Sequence, residues 1–261
     1  MVVGASTSNF YPAPIEDALD TVLAAGFSNV EIFLNAPSEA TPAFADELKR
    51  RCEAAGAIVS AVHPYSSFME PFFLFAPYER RADDGFEMYK PQFEAAARLS
   101  APYLILHGAK PLGQLTEEQL LERYEQLYDL GQTYGVTVAQ ENVNKFSSAD
   151  LSFLQAMKTR LGGKAKFVFD VKQSGRCGLD PLQVIETMGK NIVHVHISDR
   201  DETRDCLPPE AGTRDFNELL RALKAVGYDG VLMLELYRQN FESAEDLKRS
   251  KTFLEEIACH L

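Results

Sequence analysis

The chain is poor in cysteine and has no closely spaced pair of them: Cys52, Cys177, Cys206 and Cys259 are widely separated, and no Cys-x-x-Cys occurs. This fits neither a structural zinc knuckle nor a disulfide framework, so all four are expected as reduced thiols. Long apolar runs are missing too, none approaching the length that spans a bilayer, and the first residues, MVVGASTSNFYPAP, show no basic leader followed by an apolar stretch. No membrane partner and a cytoplasmic location are the expectations. Positive charge is scarce: 26 Lys and Arg stand against 38 Asp and Glu, for a net charge of −12 and a pI near 4.9. A phosphate-tracking surface needs a clustered excess of bases, so nucleic acid is not an expected partner. Linkers, low-complexity tracts and a Gly-rich phosphate cradle are absent as well.

What the sequence does contain is a rhythm. Short β-type runs alternate with longer amphipathic stretches about every 30 residues, the signature of βα units around a parallel sheet. Eight runs can be counted: VVGAST, NVEIFL, AIVSAVH, YLILH, VTVAQEN, KFVFDV, NIVHVHI and GVLMLEL. They are rich in β-branched and aliphatic residues, as strands buried on both faces should be. With 261 residues and 46% hydrophobic content, the pattern predicts an α/β fold, a (β/α)8 barrel forming a single domain over residues 1–261.

The intervening stretches carry their own start and stop signals. Thr41-Pro42 and Asp180-Pro181 pair an N-cap with proline at the first helical position, and Thr116 to Gln119 and Asp215 to Glu218 resemble capping boxes. Gly26, Gly56, Gly135 and Gly227 each sit where a helix must stop before the next strand. One segment departs from the rhythm. Residues 64–78, PYSSFMEPFFLFAPY, are too aromatic for a solvated loop, so they should form a lid, a subunit contact or a packing layer against the barrel's own helices. The same segment makes a homo-oligomer, dimer or tetramer, the expected state.

In a parallel barrel the carboxyl ends of the strands form the active face, so polar residues there are informative. The last four strands each end on a metal-capable side chain: Glu141 in VTVAQE, Asp170 in KFVFD, His196 in NIVHVHIS and Glu235 in GVLMLE. Three carboxylates and one imidazole make a hard, oxygen-dominated set that suits a single divalent ion, Mn²⁺ first, with Mg²⁺, Co²⁺ or Zn²⁺ as alternatives. Crowded carboxylates repel one another, which makes the site costly without a cation. Any one such residue could simply cap a loop or pair with arginine; four on consecutive strands argue for a site. His194 shares the parity of His196 and is expected one layer deeper. His63 and His107 end the third and fourth strands and, with Glu31, Lys172 and Gln173, are candidate substrate-binding residues; ordinary hydrogen-bonded rim positions are the competing reading.

These pieces in this order (VEIF, QEN, FVFDVKQ, HVHISD and LELY) resemble the xylose isomerase-like barrels, sugar (phosphate) isomerases and epimerases that include the ketose 3-epimerases. The resemblance covers nearly the whole chain and implies that Glu141, Asp170, His196 and Glu235 are the four metal ligands. It further implies that Glu141 and Glu235 act as acid and base on opposite faces of a sugar or polyol substrate. Two positions depart from the family pattern: Gln173 replaces a histidine three residues after the aspartate, and Pro209-Glu210-Ala211-Gly212 stands for the common Pro-Gly-x-Gly. Three other readings remain. One is a metal-dependent dehydratase of a cyclic polyol or dehydroshikimate-like substrate, another a non-catalytic sugar-binding barrel. The third, a nuclease resembling endonuclease IV, would enlist His63 and His107 in a larger zinc cluster, against which stand Gln173 and the acidic charge.

Overall fold

The computed structural model describes residues 1–261. Its barrel strands are β1 (Val2–Ser6), β2 (Asn29–Phe33), β3 (Ile58–His63), β4 (Tyr103–Leu106), β5 (Thr137–Glu141), β6 (Phe167–Asp170), β7 (Ile192–Ile197) and β8 (Val231–Leu234). They close in the order β1-β8-β7-β6-β5-β4-β3-β2, all neighbours parallel. This is the (β/α)8 barrel expected, with helices between the strands. A 57-residue hydrophobic core fills the space between the outer faces of the strands and those helices, and the strands are buried on both sides, which is why they read as continuous apolar runs. No helix is long and apolar enough to cross a membrane.

The helix signals can be checked one by one. Helix α4 (Glu117–Thr133) begins with the full capping box of Thr116 and Gln119. Asp180 caps α7 (Pro181–Met188) by accepting from the Leu182 N–H. For α8 (Phe216–Ala225), Asp215 accepts from the Glu218 N–H, the first half of the expected box. Thr41 precedes α2 (Pro42–Ala54) as expected, but its hydroxyl donates back to the Ser38 carbonyl and does not cap. The turn ahead of it claims the side chain first. All four stop glycines adopt the left-handed conformation, with φ between 67° and 86°.

Inside the barrel, Ala61, Ile105, Ala139 and Val168 from β3 to β6 pack as one small layer. Strand side chains repeat every two residues, so the next inward positions are His63, His107, Glu141 and Asp170. On β7 the same period sets His194 below His196, and Asp170 pairs with His196 in register. Met233 is the β8 partner of His196, which carries Glu235, two residues later, to the mouth. Register and parity thus bring one polar layer onto one apolar layer.

Residues 64–78 do more than cover. Leu74, Phe75 and Ala76 are buried against the body, and the Leu74 backbone lies so near Gly85 of α3 (Glu79–Arg98) that a Cβ there would meet its nitrogen at 2.8 Å. Within the segment, Glu70 is fully buried, accepting from the Tyr89 hydroxyl and from the Gly108 N–H just past β4. Phe68 and Phe72 stay 70% and 53% exposed. Half of the segment is therefore a packing layer, and the other half faces solvent at the barrel mouth.

Candidate active site

The ligand atoms of Glu141, Asp170, His196 and Glu235 lie within 4.8 Å of one another. His196 Nδ1 stands 3.7 Å from Glu141 Oε1, 3.9 Å from Asp170 Oδ2 and 3.6 Å from Glu235 Oε2. His196 Nδ1 is buried without a hydrogen-bond partner, while the buried Asp170 Oδ2 and Glu141 Oε2 have the Lys172 ammonium and the His107 ring at 3.1 Å. Buried polar atoms are paired in nearly all proteins, so an unpartnered imidazole nitrogen facing three carboxylates is what a cation-binding cluster should show. The donor set fits a divalent ion.

Asp170 and His196 are each fixed from behind. Asp170 divides its carboxylate: Oδ1 caps α6 (Val171–Arg176) by accepting from the Lys172 and Gln173 N–H groups, which turns Oδ2 toward the cluster. His196 Nε2 is 2.9 Å from Glu31 Oε2, and that same oxygen is 2.9 Å from His194 Nε2. With its Nε2 so engaged, the His196 ring presents Nδ1 to the carboxylates. Glu31, expected among the substrate contacts, is instead fully buried beneath the two imidazoles. Burial alone would raise the pKa of Glu31, but the His196 and His194 rings outweigh it and hold the carboxyl well below the usual range.

The Gln140-Glu141-Asn142 triplet shows how the site is stapled. While Glu141 points inward, Gln140 Nε2 donates to the carbonyls of Leu106 and His107, locking the end of β4. Gly108, at φ 87°, passes so close to Gln140 that a Cβ would come within 2.6 Å of its Oε1. Asn142 Oδ1 accepts from the Asp170 N–H, and its Nδ2 donates to the Asp170 carbonyl and Ser174 Oγ. Neither amide stood out in the sequence. Their signal was three consecutive polar residues closing an otherwise apolar strand, where alternation sends the outer two to neighbouring strands.

His63 and His107 also approach the cluster. Their Nε2 atoms are 3.1 Å apart, and they lie 3.8 and 3.1 Å from Glu141 Oε2. Together with Glu141 they form a second group whose geometry could hold a metal. His107 opens to the cavity, whereas His63, expected at the same mouth, is buried behind it, stacked on Phe33 with centroids 4.4 Å apart. Gln173 lines the cavity with its Oε1 accepting from the Asn144 N–H. Lys172 Nζ donates to Glu235 Oε2 at 2.8 Å and lies 3.1 Å from Asp170 Oδ2. The mutual repulsion expected of the carboxylates is thus offset from within the chain by one ammonium.

Burial would raise the pKa of Glu141, but His107 first, then His196 and His63, bring it well below the ordinary value. Glu235 is likewise lowered against burial, by Lys172 and His196. Asp170 goes the other way: burial, with Glu141 and Glu235 as like-charged neighbours, raises its pKa despite Lys172. These opposed shifts are the electrostatic mark of carboxylates sharing one small volume. Above them opens a cavity of about 840 Å³, walled by aromatic rings that include Phe33, Tyr65, Phe68, Phe146 and Tyr237.

The profile of the xylose isomerase-like TIM barrel matches residues 19–257. An uncharacterised protein of Methanocaldococcus jannaschii is 24% identical over 98% of this chain and 89% of its own length. An inosose isomerase of Bacillus licheniformis is 28% identical over 63% of this chain, a match that spans 65% of that enzyme. Among solved structures, a D-tagatose 3-epimerase-like protein superposes with a TM-score of 0.81 at 20% identity, covering 99% of this chain and 97% of that one. A D-psicose 3-epimerase of Clostridium cellulolyticum H10 gives 0.81 at 15% identity, over 98% and 99%.

Proposed function

The chain belongs to the xylose isomerase-like TIM barrel family, and on that premise we propose that it is a divalent-metal-dependent isomerase or epimerase of a sugar or cyclic keto-polyol. The observation that carries this reading is the convergence of Glu141, Asp170, His196 and Glu235, with the unpartnered His196 Nδ1 facing the three carboxylates. The inosose isomerase and 3-epimerase relatives agree with it. Glu141, Asp170, His196 through Nδ1, and Glu235 would hold the ion. When bound, that ion supplies Lewis acidity, which polarises a substrate carbonyl and acidifies the neighbouring C–H.

Proton movement falls to Glu141 and Glu235. One carboxylate takes the C–H proton. Return of a proton to the opposite face of the same carbon gives an epimer, and return to the adjacent carbon interconverts aldose and ketose. His107, beside Glu141 Oε2, and Lys172, beside Glu235 Oε2, hold the two glutamates in the ionised form that can accept a proton. Aromatic rings line the cavity above the carboxylates, and His107 and Gln173 present polar atoms for substrate hydroxyls.

Elimination is the second reading, favoured by the position of His107. Its ring touches Glu141 and also opens to the cavity, where it could give a proton to a departing β-hydroxyl after the same proton abstraction. Incubating the Mn²⁺-loaded protein with ketoses, aldoses and inososes in D₂O separates the cases by NMR. Deuterium at one carbon next to a carbonyl, with no loss of hydroxyl, is the expected result. A conjugated enone absorbing in the ultraviolet would favour elimination, and a sugar that binds without exchange would leave only a binding protein.

A further inference from the structure

We propose that the substrate carries a phosphate or carboxylate group remote from its reacting carbonyl, and that Lys110 and Lys145 on the outer wall of the cavity bind it. This deepens the isomerase reading above and rests on it for the position of the carbonyl. The first observation is a reversal of charge. The chain has 38 acidic residues against 26 basic ones, yet above the Glu141 and Asp170 carboxylates the cavity wall is lined by Lys110, Lys145, Lys172, Arg176 and Arg238 with Glu235 as its one acid. Composition alone would put more acids than bases there.

The second observation concerns what those cations already do. Lys172 is committed to Asp170 and Glu235. Arg176 donates to Asp205 Oδ2 and to the Tyr237 hydroxyl, and Arg238 to the carbonyls of Phe241 and Glu242. Lys110 and Lys145 make no ion pair and line the cavity, whose one acidic wall residue, Glu235, is held by Lys172. The Lys110 ammonium instead sits 5.6 Å from the centre of the Phe146 ring and 6.0 Å from that of Phe72. Aromatic neighbours hold a cation in place without neutralising it, and their low polarity strengthens its pull on an anion.

The third observation is position. Glu141 Oε2 is 3.1 Å from His107 Nε2, the His107 ring lies edge-on to Phe146 at 5.8 Å, and Phe146 carries Lys110 on its other contact. Lys145 is the residue before Phe146 and lines the same cavity. Starting from the carboxylates, the Lys110 ammonium is thus reached one aromatic ring beyond His107, and Lys145 belongs to the same wall. A polyhydroxy chain with its carbonyl at the cluster would place its far end on this wall when it extends past His107 and Phe146. Lysines act there as point charges and serve either anion; a bidentate fork would demand arginine.

The test separates this proposal from the functional reading by measuring binding as well as turnover. Fructose, fructose 6-phosphate and a 2-keto-aldonate are titrated calorimetrically into the Mn²⁺-loaded wild type and the Lys110→Ala/Lys145→Ala variant, and deuterium exchange is followed for the same panel. An anionic member should bind wild type at least roughly tenfold tighter than its neutral parent, a preference that weakens with salt. In the variant that ratio should fall by about the same factor, and Lys110→Arg/Lys145→Arg should restore it. Preference for the phosphate ester or for the keto-acid tells the two sources apart. Equal affinity for neutral and anionic members, or a preference unmoved in the folded variant, overturns the proposal. Exchange failing throughout while the charge-dependent binding persists would sink the isomerase reading and leave the anion site standing.

Discussion

The ends of β5 to β8 present Glu141, Asp170, His196 and Glu235 to one point, whereas the ends of β2 to β4 present Glu31, His63 and His107 to the backs and flanks of those same residues. One half of the mouth offers donor atoms, and the other half decides which atoms those are. Glu31 engages His196 Nε2 so that Nδ1 faces inward, and the His63–His107 pair lowers the pKa of Glu141. Substitutions in the two halves should therefore fail differently.

The largest effect is expected from Glu141→Gln or Glu235→Gln. Each keeps shape but loses the basic oxygen, so turnover should drop by about three orders of magnitude or more with the melting temperature nearly unchanged. Full activity in either variant would remove the assigned role. In the first half, Glu70 gives a pH signature. Burial raises its carboxyl from 4.5 to about 8, against the opposing contacts with Tyr89, Gly108 and His63. The folded protein thus keeps a proton that the unfolded chain releases. Stability from this group is fully present below pH 4.5, declines by up to about 1.4 kcal/mol per pH unit, and levels off above about pH 8. Urea midpoints measured across that window should fall in wild type and stay flatter in Glu70→Gln.

Glu31→Gln sharpens the contrast between holding and orienting. Residues that steer metal ligands typically contribute 10–100-fold to affinity, so Mn²⁺ titration should show roughly that loss while metal-saturated protein retains turnover. Loss of turnover at saturation would place Glu31 in the chemistry itself. The smallest effect belongs to Asn142→Ala, which strands the buried Asp170 N–H and should cost about 1–3 kcal/mol of stability, read from the shift in unfolding midpoint.

Much of this was legible in the chain, for identifiable reasons. β5, β6, β7 and β8 each end on or next to a residue that apolar strand composition does not explain, so Glu141, Asp170, His196 and Glu235 stood out one strand at a time. The stop glycines were legible because the left-handed conformation favours glycine at a helix end. Glu31 and His63 were noticed, but their depth was not legible, since a strand's period tells which face a residue takes and says nothing of how far it lies from the mouth. Gln140, Asn142 and Lys110 were missed altogether, because each meets a partner from another strand or loop.

What the amino-acid order settled by itself was periodic and local: eight apolar runs, their caps and stops, and an acid or imidazole at the end of each of the last four. Tertiary structure alone decided which oxygen of Asp170 faces inward, which nitrogen of His196 is offered, that Lys172 sits between two carboxylates, and that an acidic protein lines its cavity with cations. The reason is geometric. Barrel closure sets side chains from strands more than 160 residues apart within hydrogen-bond distance, as with Glu31 and His196, and a contact of that kind leaves no trace in the spacing of a linear sequence.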